Sequence, residues 1–220
     1  MSPLAPLFEG TQSLAPSLKI LMILTLLALL PAAILTMTSF VRTVVVLGFV
    51  RQGIGAQQTP PSQVIIGLSL FLTFFTMAPT FSEMKTVGLD PYQRGEMTEV
   101  QALDAASVPL KRFMLRQTRE EDLRLFYDAA AEPLPATPDD VPLKLAVPAF
   151  VISELTTAFQ MGVMVLLPFL VVDIAVASLL MSMGMMMVPP TTLSLPMKLL
   201  LFVLVDGWNL VAGSLLRSFA

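Results

Sequence analysis

The sequence contains neither cysteine nor histidine. Without those residues it cannot build a disulfide framework, a zinc cluster, a haem ligand set, a thiol nucleophile or a Ser-His-Asp triad. Charge is also scarce. Only 13% of the 220 residues are Asp, Glu, Lys or Arg, where a soluble domain carries about 25%. The formal net charge of −3 gives no electrostatic footprint for nucleic acid. A disordered chain is excluded, the composition argues against an ordinary soluble enzyme, and no cofactor or metal is expected. What the sequence has in quantity is apolar surface: 55% of residues are hydrophobic, and methionine (15) and proline (18) are both plentiful. This composition points to an integral membrane protein.

The charges it does have are concentrated. Residues 82–144 hold eight of the 13 basic and 12 of the 16 acidic residues. The chain therefore reads apolar, polar, apolar, with no repeat of 20–50 residues. The first apolar block, Leu18 to Val50, is longer than the roughly 20 residues one untilted crossing needs. Pro31 should kink it or mark a joint, so a bent helix or two shorter helices both fit. The second, Val64 to Ala78, is expected to end at Pro79 and to fall short of a hydrocarbon core of about 30 Å. The third, Leu145 to Met187, contains Glu154, Pro168 and Asp173, and the fourth, Leu193 to Leu216, contains Lys198 and Asp206. An ionisable group at mid-helix costs roughly 2.5–3.5 kcal/mol on insertion scales. These blocks are poor lipid-facing helices and read better as helices packed against other subunits or lining a wet path.

Residues 1–17 lack the charged start and apolar core of a signal peptide. Either a signal has been removed from the numbered chain, or the first apolar block directs insertion. Arg42 and Arg51 after that block outweigh Lys19 before it. The positive-inside rule then puts the 51–63 loop in the cytoplasm, residues 1–17 and the polar segment in the periplasm, the 181–192 loop on the cytoplasmic side and the C-terminus outside.

The polar segment is expected to be a small helical lobe. Val108-Pro109 should open a helix with Leu110, Phe113, Met114 and Gln117 on one face. Thr118 and Glu121 match a capping box, and Leu123, Phe126 and Tyr127 supply the next apolar stripe. Arg116 and Glu120 would pair at i,i+4 if the helix is continuous. Glu132 to Asp140 is too proline-rich for a helix. The lobe is either a docking surface for neighbouring subunits or a solvated cap with ordinary surface ion pairs. Glu120 and Glu121 are adjacent and do not face each other, which argues against acid–base chemistry there.

The run Met181-Ser182-Met183-Gly184-Met185-Met186-Met187-Val188-Pro189-Pro190 holds five of the 15 methionines. Gly184 loosens the helix and Pro189-Pro190 ends it. Unbranched, polarizable methionines make a soft apolar contact that reshapes around different partners. In a ring of subunits such loops would form a gasket that closes a pore yet yields to a passing chain. The plainer reading is that they fill an irregular core at a helix end. A copper site is disfavoured by the missing His and Cys, although thioethers bind Cu(I). Arg42, Glu154, Asp173, Lys198 and Asp206 need partners or water within the apolar blocks. Lys198 and Asp206 share a helix face two turns apart without touching, so pairing between helices or subunits is expected. Ion or proton conduction is the sharper alternative.

Four stretches resemble the FliP family of flagellar type III export-gate subunits. The first is Met37-Thr38-Ser39-Phe40 with the valine-rich run to Arg51. The second is Pro60-Pro61-Ser62-Gln63 leading into Gly67-Leu68-Ser69-Leu70-Phe71-Leu72-Thr73-Phe74-Phe75. The third is Phe113-Met114-Leu115-Arg116-Gln117-Thr118-Arg119-Glu120, followed by Pro148 to Gln160. The fourth is Gly184 to Pro190, then Leu195-Pro196-Met197-Lys198 through to Asp206-Gly207-Trp208. Departures are Met183, where the family more often has an aliphatic residue, and the missing cleavable signal peptide. The resemblance implies an all-α, non-enzymatic subunit of the inner membrane and flagellar basal body. It implies helical hairpins in 18–81 and 145–220, a periplasmic lobe in 82–144, and a short periplasmic segment in 1–17. Five copies would join FliQ, FliR and other export-apparatus subunits in a pore for unfolded flagellar proteins in transit, with membrane lipid around it. The family's methionine gasket maps onto Met185, Met186 and Met187, with Met183 as an added candidate. Gly184, Pro189 and Pro190 would end the helix there. The equivalent subunit of a virulence injectisome is the nearest alternative. A small-solute transporter and a membrane enzyme are more remote.

Overall fold

The computed structural model describes residues 16–56, 59–135, 137–185 and 187–219. Most of the expected N-terminal segment (1–15) and Met186 lie outside the described residues. Every regular element among the described residues is a helix. In order they are α1 (Pro16–Thr36), α2 (Phe40–Ile54), α3 (Ser62–Met84) and α4 (Asp90–Gln93), the last two joined by a π-helical turn at Lys85–Leu89. Then follow α5 (Glu99–Gln117), α6 (Glu120–Ala130), a 3₁₀ turn at Pro138–Asp140, α7 (Leu143–Ser182), α8 (Pro190–Leu204) and α9 (Gly207–Arg217).

Pro79 does not end its helix, and Val108-Pro109 does not open one, since that helix already begins at Glu99. Pro31 lies inside α1, Pro79 inside α3 and Pro109 inside α5. The second apolar block therefore does not stop at Pro79. It continues as a 32-residue helical run from Ser62 to Gln93, about 48 Å long at 1.5 Å per residue. A helical proline forfeits one backbone bond, whereas ending a helix in an apolar setting strands several groups at once. The first block divides instead at Met37–Ser39. There the Thr38 hydroxyl donates to the Leu35 carbonyl (2.9 Å) and Met37 N–H to the Ile34 carbonyl (3.3 Å), closing α1. The third block is one helix of 40 residues, α7, despite Pro148 and Pro168. The fourth is not one straight helix: α8 and α9 bend by 62°. Two helices, Ser62–Gln93 and α7, are long and apolar enough to cross a membrane, and the bent pair makes a third if counted as one span.

The chain divides into two compact units. One comprises 16–38 with 77–153 and carries the polar lobe. Here α5 starts at a capping box: Gln101 N–H donates to Thr98 Oγ1 (3.4 Å), and Thr98 N–H to Gln101 Oε1 (2.9 Å). The chain places the α5–α6 break at Thr118–Arg119, so the expected Thr118–Glu121 box does not form. Thr118 turns its hydroxyl back onto the Met114 carbonyl (2.8 Å). The break also separates Arg116 from Glu120, which pairs with Arg124 (2.6 Å). Ser153 holds the break: it accepts from Arg119 N–H (3.0 Å) and donates to Asp122 Oδ2 (2.6 Å). Phe113 meets Phe150 edge-on at 6.0 Å, and Tyr127, Val141, Leu145 and Ala146 close a second small core. Burial first, then the nearby Glu132 and Asp140 carboxylates, raise the Tyr127 phenol above its ordinary pKa. At Gly88, in the π turn, a Cβ would lie 2.8 Å from the Ala102 carbonyl oxygen and 2.9 Å from Ala106 Cβ. Only glycine allows that approach to α5.

The other unit comprises 39–76 with 154–219. Val46, Leu47, Val50, Ile54, Ile65, Leu72, Ala158, Phe169, Phe202, Val211 and Leu215 form its core. Gly162 makes room for the Phe49 ring and Gly53 for the Phe169 ring. The α8–α9 bend is built on Asp206, which sits in the left-handed region (φ 51°), and on Gly207, where any side chain would collide with the Phe202 ring. Trp208 then stands edge-on to Phe202 at 5.2 Å. These rings hold the corner once the helix has turned.

Candidate functional site

Within the second unit the five charges singled out in the apolar blocks fall into two clamps and one exception. Arg42, in the first turn of α2, is 2% exposed, and Glu154 on α7 is fully buried. The guanidinium grips the carboxylate with two donors, Nε to Oε2 (3.0 Å) and Nη2 to Oε1. Its third nitrogen, Nη1, donates to the Ser218 carbonyl (2.9 Å) and hydroxyl (3.0 Å) just beyond α9. The Phe219 ring covers the guanidinium, its centroid 3.8 Å from Cζ. The planar fork of arginine suits such bidentate and stacked contacts. One buried cation thus ties together α2, α7 and the residues following α9. Nothing in the sequence pattern pointed to Ser218 or Phe219. They follow the last apolar block and carry no charge of their own.

The second clamp joins α7 and α8. Lys198 Nζ donates to Asp173 Oδ2 at 2.6 Å. The lysine side chain is 9% exposed and the aspartate 36%. Gly55, the left-handed residue that ends α2 (φ 82°), lies against Leu195 and Lys198. Both clamps close within a single chain. Asp206 belongs to neither: exposed at the α8–α9 corner, it accepts from Asn209 Nδ2 at 3.1 Å. The turn at Asp206 puts its side chain outside the run of α8, so the two-turn spacing from Lys198 does not place both on one continuous helix.

The methionine loop joins α7 to α8. Gly184 adopts φ 73° and turns the chain as α7 ends, with Met185 N–H donating to the Leu180 carbonyl (3.0 Å). Pro189 caps and Pro190 starts α8. Met187 is 97% exposed, Met183 71% and Met185 43%, whereas Met77 and Met114 are fully buried. The described loop methionines therefore do not fill a core in this chain. Large apolar side chains are also exposed along the flanking helices: Phe71, Phe74 and Phe75 on α3, Val171 and Ile174 on α7, and Val203 and Leu204 on α8. So much uncovered apolar surface calls for lipid or protein against it. Among the described residues no group of three or more Asp or Glu side chains is placed to hold a metal ion.

Comparison with known proteins agrees with this architecture. The model of the FliP family matches residues 23–215. The chain is 50% identical over 208 residues to the flagellar biosynthetic protein FliP of Bacillus subtilis (strain 168), covering 94% of each chain. It is 52% identical over 197 residues to that of Caulobacter vibrioides, covering 90% of this chain and 74% of the relative. It is 46% identical over 212 residues to that of Aquifex aeolicus, covering 96% and 89%. With the family model spanning both helical units and these relatives matched over 74–94% of their length, the chain belongs to the FliP family.

Proposed function

We propose that this chain is a pore-forming core subunit of the flagellar type III export gate, in which about five copies assemble with FliQ and FliR. Membership of the FliP family makes it a flagellar biosynthetic protein, a component of the export apparatus and not an enzyme. The finer reading adds the channel, the partners and the seal. Residues 18–81 and 145–220 supply the membrane-associated hairpins, and residues 82–144 a periplasmic lobe. Unfolded flagellar proteins cross the inner membrane through the pore.

One observation carries this reading. A loop of exposed methionines sits between the 40-residue apolar helix α7 and the shorter apolar helix α8, whose ionisable groups are mostly paired inside the chain. A solute transporter would leave charged or polar groups facing a binding site near mid-membrane. Here Arg42 and Glu154 are fully engaged with each other, and what the loop offers is soft apolar surface. Met185, Met186 and Met187, with Met183 beside them, form the gasket. Gly184, Pro189 and Pro190 set its turn. Arg42, Glu154, Asp173 and Lys198 lock the helices that carry it, and Asp206 marks the bend in α8–α9.

The reading is tested by placing a photo-crosslinking residue at Met187 and stalling an exported flagellar chain in transit. The expected product joins this subunit to the stalled chain and depends on active export. Crosslinks to lipid alone, unchanged by export, contradict the assignment.

A further inference from the structure

We propose that Met183, Met185 and Met187 form an oxidation-sensitive modification site, where a peroxide converts the thioethers to sulfoxides and thereby loosens the seal. The functional half rests on the gasket reading above. The chemical half rests on the exposure of these side chains in the single chain and on the loop's having one side open to an aqueous path in the gate.

Methionine and cysteine are the side chains most readily oxidised by peroxides. This chain has no cysteine, so no thiolate competes for the oxidant. Among the methionines, exposure then decides. Met187 at 97% and Met183 at 71% present their sulfurs to solvent, with Met185 at 43%, while Met77 and Met114 are at 0%. Met164 (73%), Met181 (64%) and Met197 (58%) are also exposed, but they lie on α7 and α8 beside apolar faces that lipid or neighbouring subunits would cover, and Met97 in the polar lobe is less exposed at 36%. A loop facing an aqueous path stays within reach of a molecule as small as hydrogen peroxide.

The reaction balances without help from the protein. A sulfur lone pair attacks one peroxide oxygen, the S–O bond forms as the O–O bond breaks, and the departing hydroxide takes the remaining proton to become water. The sulfur loses two electrons and the peroxide gains them. The product is polar and chiral where the parent was apolar and flexible. Packed into a dry contact, a sulfoxide oxygen lacks a donor, and an unmatched buried polar group is costly. Several such groups in one loop, repeated in each copy, would convert a water-excluding contact into a wetted one. The step is reversible by a methionine sulfoxide reductase supplied with a dithiol.

The test uses the assembled gate in lipid vesicles, treated with dilute hydrogen peroxide. Peptide mass spectrometry should find the loop methionines oxidised well before Met77 and Met114. Ion conductance should rise several-fold and return on reduction. A variant with leucine at 164 and 197, outside the loop, should open with peroxide just as the unsubstituted gate does. Loop methionines no faster than Met77 and Met114 overturn the chemical half. Oxidised loops with unchanged conductance, in a gate whose alanine variant leaks, overturn the proposal and leave the gasket standing. If the alanine variant does not leak either, the gasket reading itself has failed.

Discussion

Replacing Glu154 with glutamine should destabilise the folded chain by about 3–5 kcal/mol, the usual loss when one partner of a buried ion pair is removed. Arg42 is 2% exposed and accepts no substitute from water. Glutamine retains one acceptor oxygen and none of the negative charge. The guanidinium would keep its contacts to Ser218 and Phe219 but lose the buried Glu154 carboxylate. Proteins have about 5–15 kcal/mol of stability in total, so the variant should give a low yield of detergent-stable protein and a clearly lowered thermal midpoint. The double variant Arg42→Met with Glu154→Leu should fare better than Glu154→Gln alone. Replacing both charges by apolar groups of similar volume removes the desolvation penalty along with the attraction. An unchanged midpoint for Glu154→Gln contradicts the buried clamp.

Replacing Met185, Met186 and Met187 with alanine should make the resting gate leak ions. Each substitution removes the flexible part of the side chain and shortens its reach, while the backbone turn set by Gly184 and Pro189 remains. Met187, with 97% of its surface free, makes almost no contact within the chain, so the change should cost little folding stability. That separates it from Glu154→Gln: the alanine variant should assemble normally and fail only as a seal. Leucine at the same positions keeps the apolar volume and should hold the seal. Wild-type conductance in the alanine variant would mean that the loop is not the gasket.

Much of the architecture was legible in the sequence because its causes are local. Apolar blocks separated by a charged segment gave helices around 18–50, 64–78, 145–187 and 193–216, and marked Arg42, Glu154, Asp173, Lys198 and Asp206 as needing partners or water without saying which. Where the reading failed, the missing term was tertiary or environmental. Pro79 looked like a helix end and Pro109 like a helix start because proline is costly in a helix interior, yet both helices run through them, as α1 runs through Pro31. The real corner, at Asp206–Gly207, depends on the Phe202 ring filling the space a side chain would need. Thr118 fits a capping pattern by spacing, but the helix starts one residue later because Ser153, far along the chain, takes the Arg119 N–H. Ser218 and Phe219 join the Arg42 clamp across more than 170 residues, and a pattern of short-range spacings carries no trace of that contact.

If this chain builds a multi-subunit export pore, co-expression with FliQ and FliR should give one stable assembly. Native mass measurement of that complex should find about five copies of this chain together with both partners. A monomer that takes up small solutes, or a FliQ–FliR complex that forms without this chain, would contradict it.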